Sequence, residues 1–463
     1  MGSDRRVTFS EADARIVAAA REVSHVLRRA GFQALFAGGC VRDALLGRSL
    51  KDIDIATSAL PDQVESLFPG RTVAVGKSFG VIVVLQDGFS FDVATFRTDG
   101  AYADGRHPDA VVFATAEGDA QRRDFTVNGL FCDPEDGAVT DYVGGLADLD
   151  ARAIRAVGEP EARFREDHLR MLRAVRFASV LGFEIAPETW AAVRAHAEWV
   201  RSVSAERVAV EFIRMLCESP RPSVGLELLR LSGLLECFLP EVAALHGTRQ
   251  PPKFHPEGDV WTHTCLMLDE LPAPRDPDLA LAVLLHDIGK PVTYFEQREG
   301  DGADVRIRFP NHAPVGAGMA EAILLRLRQP AARVETVKAL VAGHMHFVEA
   351  ERMRRAKLRR FLGEPCFPKM LELMRLDVMY SNGDFSAWRF LKGAFDSFVS
   401  EPVLPEPLVK GRDLLAWGIA PGPEMGCLLN ELYDAQLEGR FDSLSDARIY
   451  FNARCPPFRE QTT

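Results

Sequence analysis

The chain has 463 residues, 47% of them apolar and 26% charged, with a formal net charge of −11. That length suggests about three domains, and the acidic balance weighs against a protein that coats nucleic acid, although local arginine clusters can still hold a phosphate backbone. No apolar run reaches the roughly 20 residues needed to span a bilayer, and the eight cysteines are scattered with no C-x-x-C pair, so a soluble, reduced, cytoplasmic protein is expected.

The first residues, MGSDRRVTFSEADARIVAAAREV, are charged and helical and lack an apolar signal core. Up to about residue 150, short strands are expected at ALFAGG, KDIDIAT, VIVVLQ and FSFDVATF, separated by Gly, Asp and Pro turns. From EDHLRMLRAVRFASVLGF onward strands nearly vanish. The apolar spacing there is helical, broken at proline-rich loops near 219–222, 250–256, 272–277 and 402–407. The expected fold class is therefore α+β, a mixed head followed by an all-helical body. Arginine clusters in RMLRAVRF and ERMRRAKLRRF can be phosphate contacts or solvated helix faces.

The stretch from Gly38 to Thr57, GGCVRDALLGRSLKDIDIAT, carries the chemistry. In a strand Asp52 and Asp54 point to one face while Ile53 and Ile55 enter the opposite layer. Two adjacent carboxylates repel, and a divalent cation removes that penalty; hard oxygen donors suit Mg²⁺, which completes its shell with water and substrate phosphates. Asp92 in FSFDVATFR can stand beside them on a neighbouring strand, giving three acids for two metals. Gly38 and Gly39 allow close backbone approach to a triphosphate, and Arg42 supplies a fork to bind it. The pattern points to nucleotidyl transfer. GRTVAVGKS, Gly70 to Ser78, fails as a phosphate-binding P-loop because the spacing requires Gly where Arg71 stands, and a turn accounts for Gly76 better.

GGCVRDALLG…KDIDIATSALP, RRDFTVNGL, DYVGGLADLDARAIRAVGEPEARFREDHLRMLRAVRFA and SAERVAVEFIRML follow one another over about the first 216 residues. In this order they resemble the motifs of the class II tRNA nucleotidyltransferase and bacterial poly(A) polymerase family. The resemblance implies a nucleotidyltransferase head over 1–150, a nucleotide-selecting helical neck over 151–220, a helical body over 221–380 and a helical, tRNA-contacting tail over 381–463. It implies that Asp52 and Asp54 hold Mg²⁺, with Asp92 as the third acid. Gly39 and Arg42 would bind triphosphate, and Arg123, Asp124 and Asn128 the sugar and phosphates. EDHLR would be the protein template that selects the base.

Helical geometry supports that last role: Met171, Leu172, Val175 and Ala178 share one side, and Arg170, Arg173 and Arg176 fan along the other with Asp167 at its edge. Asp167 can accept from the exocyclic amine of cytosine or adenine while Arg170 donates to ring acceptors, which suits CTP and ATP. Family members add CCA, CC, A alone or a poly(A) tail. VAVGKSFGVIVV, and an intact loop resembling that of CCA-adding members from Arg97 to Gln121, favour full CCA addition to tRNA. FTVNGLFCDP departs from the commoner NAL ending.

A second constellation lies downstream. GDVWTHTCLML places His263 on a helix, and LALAVLLHDIGKP places His286 and Asp287 at the end of another. The His-Asp pair resembles the HD phosphohydrolase superfamily, which implies an HD domain at about 255–380. Its metal, Mg²⁺ or a divalent transition ion, would be held by His263, His286, Asp287 and Asp377, with His312 and His344 as candidates for a second metal. The resemblance allows a phosphatase or phosphodiesterase working on 3′ ends or cyclic phosphates, either beside the head's activity or as the main one, or a helical core that retains these side chains without a reaction.

Overall fold

A computed structural model describes residues 5–74, 77–99, 111–299, 304–345, 350–398 and 402–454. The loop expectation for Arg97 to Gln121 falls partly, and that for Gly76 wholly, outside the described residues. The chain divides into two compact units, Met1–Ala243 with Pro272–Arg275, and Ala244–Leu271 with Asp276–Thr463.

The first unit is built on a seven-stranded mixed sheet. Its strands are β1 (Ala34–Ala37), β2 (Asp54–Thr57), β3 (Thr72–Val73), β4 (Val81–Gln86) and β5 (Phe89–Thr95), then, past the β6 (Arg97–Asp99) and β7 (Val111–Phe113) ribbon, β8 (Leu130–Cys132) and β9 (Val139–Asp141). The order is β3-β4-β5-β2-β1-β8-β9, antiparallel except between β2 and β5. Helix Ala14–Arg29 buries Val17, Ala20, Val23 and Leu27, one stripe at helical spacing that joins Phe36, Ile53, Ile55 and Phe91 in the core. β2 begins only at Asp54, so Asp52 lies in the segment before the strand rather than on it. Ile53 and Ile55 are buried and both aspartates are exposed, as alternation requires.

After residue 150 two short strands, Ala153–Ile154 and Glu184–Ile185, pair in parallel, where none was expected. Helix Arg170–Leu181 corrects the amphipathic reading: every residue in it except Arg173 is buried. Helices Ala205–Glu218 and Pro222–Ser232 pack onto it. Gly225 permits this approach, since a Cβ there would sit 2.4 Å from Met215 Sδ and 2.8 Å from Ser179 Oγ. The arginines of this helix therefore rise from a packed element and are held by partners.

The second unit is mainly helical, with helices Val260–Glu270, Pro277–Leu285, His312–Arg326, Ala331–Gly343 and Phe367–Met379 around a core containing Leu281, Leu284, Leu324, Val337 and Leu373. Pro277–Leu285 starts with Asp276 accepting from Leu279 N at 2.9 Å and Pro at its first position, then runs continuously buried from Ala280 to Leu285. An antiparallel ribbon, Phe295–Glu299 with Asp304–Arg308, interrupts the expected all-helical body. Helices Gly411–Ala416, Pro423–Leu437 and Leu444–Arg454 enclose a separate apolar cluster of Leu414, Leu432, Phe441 and Phe451. In the second arginine cluster, Arg359 is buried and donates to Val403 O and Pro402 O, while Arg360 pairs with Asp434 at 2.6 Å, so these two side chains serve packing.

Candidate active site and metal centre

A pocket of about 570 Å³ in the first unit brings together every head and neck residue singled out in the sequence: Gly38, Gly39, Arg42, Asp52, Asp54, Asp92, Arg123, Asp124, Asn128, Asp167, Arg170, Arg173 and Arg176. The parallel register sets Ile55 beside Val93, which places Asp54 beside Asp92 one residue earlier. Loss of water around the carboxyl within the pocket raises Asp54 to about 6, with the Asp52 and Asp92 carboxylates adding to the rise and Arg123 opposing it. Arg123 is already occupied, donating to Asp119 and to Asn128 O at 3.0 Å. Three self-repelling carboxylates gathered at two neighbouring interior strands, facing an open pocket, fit a divalent cation, which would neutralise them.

Beside the acids runs a largely buried chain of hydrogen bonds and ion pairs. Arg42 donates to Asn128 Oδ1 at 2.5 Å, Asn128 Nδ2 donates to Asp124 Oδ1 at 3.0 Å, and Arg173 grips Asp124 Oδ2 at 2.7 Å. Arg173 also reaches Glu211 at 3.3 Å, and Glu211 pairs with Arg176. Burial pushes Asp124 upward, but Arg173 and Asn128 outweigh it and hold the carboxyl well below the usual range. The Phe177 ring sits within 5.3 Å of three guanidiniums, those of Arg42, Arg173 and Arg176. Gly38, at φ 75°, is needed here because a Cβ would lie 2.6 Å from Arg123 Nη1.

Asp167 lies between helices Pro160–Glu166 and Arg170–Leu181, in extended backbone, and not on the helix with the arginines. One oxygen accepts from Leu169 N at 3.1 Å and the other pairs with Arg207 at 2.7 Å. Arg170 is held by Glu166 and by the carbonyls of Arg163 and Arg122, at 3.0 and 3.2 Å. Sequence reasoning assigned no role to Arg207, Glu211, Asp119 or Phe177. Arg207 and Glu211 stand four residues apart in SAERVAVEF, a spacing that puts both on one helix face.

In the second unit, His263, His286, Asp287, Asp377, His312 and His344 converge. His263, His286 and Asp287 offer ligand atoms within 4.8 Å of one another, and so do Asp287, His312 and His344. Each imidazole is fixed through Nδ1: His286 to Val283 O at 2.8 Å, His312 to Phe309 O at 3.0 Å, His344 to Val341 O at 2.7 Å and His263 to Tyr380 O at 3.1 Å. The Nε2 atoms therefore face inward. His263 Nε2 lies 3.3 Å from Asp377 Oδ1, and His286 Nε2 lies 3.1 Å from Asp287 Oδ2. Both nitrogens are buried without hydrogen-bond partners. Burial without a hydrogen bond is costly, and nitrogen and carboxylate donors set this way fit a divalent metal. Lys290, three residues after Asp287 and so findable from the sequence, pairs with it at 2.6 Å and with Gln250 at 2.6 Å. His255 and Glu257, beside His263, were missed.

Among the described residues Cys40, Cys132, Cys237, Cys366 and Cys427 are free thiols, and no helix is long and apolar enough to cross a membrane. Three family models match: "Poly A polymerase head domain" over 34–155, "Probable RNA and SrmB- binding site of polymerase A" over 182–245, and "HD domain" over 259–378. The CCA-adding enzyme of Levilactobacillus brevis is 48% identical over 226 residues, 48% of this chain and 56% of that protein. That of Bacillus subtilis is 50% identical over 195 residues, 42% and 49% respectively. The chain thus spans about half the length of the curated relatives it matches. A crystal structure of the Bacillus stearothermophilus CCA-adding enzyme in complex with CTP superposes with TM-score 0.71 at 27% identity, covering 96% of this chain and 98% of that one. A Thermotoga maritima CCA-adding enzyme complexed with tRNA, 18% identical with TM-score 0.57 over 96% of each chain, shares the fold. A polymerase head domain, an RNA-binding region and an HD domain thus follow one another in this chain, in an order and fold similar to those of CCA-adding enzymes.

Proposed function

We propose that the chain is a template-independent tRNA nucleotidyltransferase that adds CCA to 3′ ends from CTP and ATP, working in the cytoplasm. The observation that carries this reading is one pocket holding the Asp52, Asp54 and Asp92 carboxylates together with Asp167 and Arg170. The relatives named above are CCA-adding enzymes, and those caught with CTP or tRNA support these substrates. The division of labour follows 1–150 as head, 151–220 as neck, 221–380 as body with the HD domain, and 381–463 as tail.

Mg²⁺ on Asp52 and Asp54, when bound, supplies charge neutralisation and activates the attacking hydroxyl. Arg42, Gly38 and Gly39 receive the triphosphate, and Arg123, Asp124 and Asn128 set the sugar and phosphates. Asp167 accepts from the base amine and Arg170 donates to the ring, so cytosine and adenine are accepted and uracil and guanine refused. The 3′ oxygen of the RNA then bonds to the α-phosphorus, the bond to the β-phosphate oxygen breaks, and pyrophosphate leaves. The test uses tRNA transcripts ending before CCA, at C and at CC, incubated with Mg²⁺ and CTP, ATP or both, with product ends sequenced. Growth stopping at CCA is expected. Stops at CC, single A additions or long A tails would replace this product assignment with the corresponding family activity.

A second reading is favoured by the unpartnered Nε2 atoms of His263 and His286: the HD centre holds Mg²⁺ or a divalent transition metal and hydrolyses phosphates at RNA 3′ ends or cyclic phosphates. Loss of metal-dependent hydrolysis in His286→Ala and Asp287→Ala variants is expected, and unchanged hydrolysis removes the reading.

A further inference from the structure

Upstream of the HD helix, His255, Glu257 and His263 form a group with ligand atoms within 4.8 Å of one another. Its hydrogen bonding decides what it is. His263 Nδ1 faces Glu257 Oε1 at 2.7 Å and the backbone oxygen of Tyr380 at 3.1 Å. A backbone carbonyl can only accept, so Nδ1 carries the hydrogen and is no ligand. The trio is therefore not a third metal site. Nε2 is then the nitrogen left to serve as a ligand, on the side of Asp377, His286 and Asp287.

His263 differs here from its neighbours. Backbone carbonyls alone are paired with Nδ1 of His286, His312 and His344. Only His263, fully buried, has a carboxylate behind it. The same Oε1 of Glu257 also meets His255 Nδ1 at 2.9 Å, and Glu257 Oε2 is buried without a hydrogen-bond partner. The Glu257 oxygen is thus braced between two rings. A charged acceptor on the distal nitrogen makes an imidazole a stronger metal donor and fixes its rotation, an effect worth 10–100-fold in metal affinity where it has been removed.

We propose that Glu257 is a positioning residue of the HD centre: braced by His255, its carboxylate holds the Nδ1 hydrogen of His263, aims Nε2 at the metal and makes the His263 side of the centre the tighter of its two metal positions. The proposal rests on the reading that this centre holds a metal. Its test uses the full chain with Asp52→Asn and Asp54→Asn, which removes the head carboxylates from the titration, and Mn²⁺ as the probe, followed by calorimetry and by the paramagnetic signal of free Mn²⁺.

The parent is expected to show a tighter and a weaker site. Glu257→Gln keeps an acceptor of the same shape without the charge, and should weaken the tighter site about tenfold; Glu257→Ala should weaken it about 100-fold, both leaving the weaker site unchanged. With the head aspartates restored, Glu257→Gln should add nucleotides at the parental rate, showing that the chain still folds. A parent that binds no Mn²⁺ once the head acids are gone overturns the metal reading itself. A parent that binds normally while both variants stay within twofold overturns the role of Glu257 alone. Equal weakening of both sites also overturns it, because general loosening, not His263, would then be the cause.

Discussion

The two acidic clusters of this chain solve the same electrostatic problem in opposite ways. In the head, Asp52, Asp54 and Asp92 are all oxygen donors, exposed in an open pocket. In the HD centre, Asp287 and the Nε2 atoms of His263, His286 and His344 are buried, with each ring already locked through its other nitrogen. An open, hard-oxygen cluster suits an ion that arrives and departs with substrate phosphates, whereas a closed, nitrogen-rich one suits a resident ion. If both centres hold ions, as proposed, burial and donor type would separate a travelling metal from a kept one.

That contrast can be broken most sharply by Asp54→Ala, which is expected to lower nucleotide addition at least ~1,000-fold while leaving metal content of the HD centre unchanged; loss of both functions together would abolish the contrast. Next in size, Glu211→Ala strands the buried Arg176, while Arg173 keeps Asp124. It should destabilise the first unit by about 3–5 kcal/mol, read from its unfolding in denaturant, with the HD centre's metal affinity unaltered. Arg207→Met frees Asp167 from its partner, and the preference for CTP and ATP over UTP and GTP should fall about tenfold in single-nucleotide incorporation, with KM rising more than kcat falls.

The smallest effect concerns pH. The folded Asp54 carboxyl is raised to about 6 from an ordinary value near 3.8, so the folded state holds its proton more tightly than the unfolded state. The metal-free protein therefore loses stability as pH climbs through that interval and loses no more from this group above it. Asp54→Asn should erase this slope and stabilise the metal-free chain at pH 8 by about 1 kcal/mol. That is less than a fully enclosed carboxyl with the same shift would give, because water reaches the side chain. Saturating Mg²⁺ should cancel the advantage in melting experiments.

The parts legible in the sequence were those whose chemistry is local. GGCVRD, DID and HD each set their functional groups within a few residues, and alternation alone put Ile53 and Ile55 inside. Pairings across the fold were not legible. Asp124 finds Arg173 49 residues away, Asp167 finds Arg207 at 40, and Arg176 finds Glu211 at 35, distances that only helix packing closes. The helix from Arg170 was misread as two-faced because an arginine is ordinarily a mark of solvent, and here Arg170 and Arg176 are buried and paired. The ribbon at Phe295–Arg308 was missed since strands rich in charge show little apolar alternation.

The chain of charges from Arg42 through Asn128, Asp124, Arg173 and Glu211 to Arg176 has a further consequence. On the proposed reading, it would tie the groups that receive phosphates to the neck helix that also carries Arg170. A change at any one link, Glu211 included, would then be felt at both ends of the pocket, so phosphate reception and base choice would fail together rather than one by one.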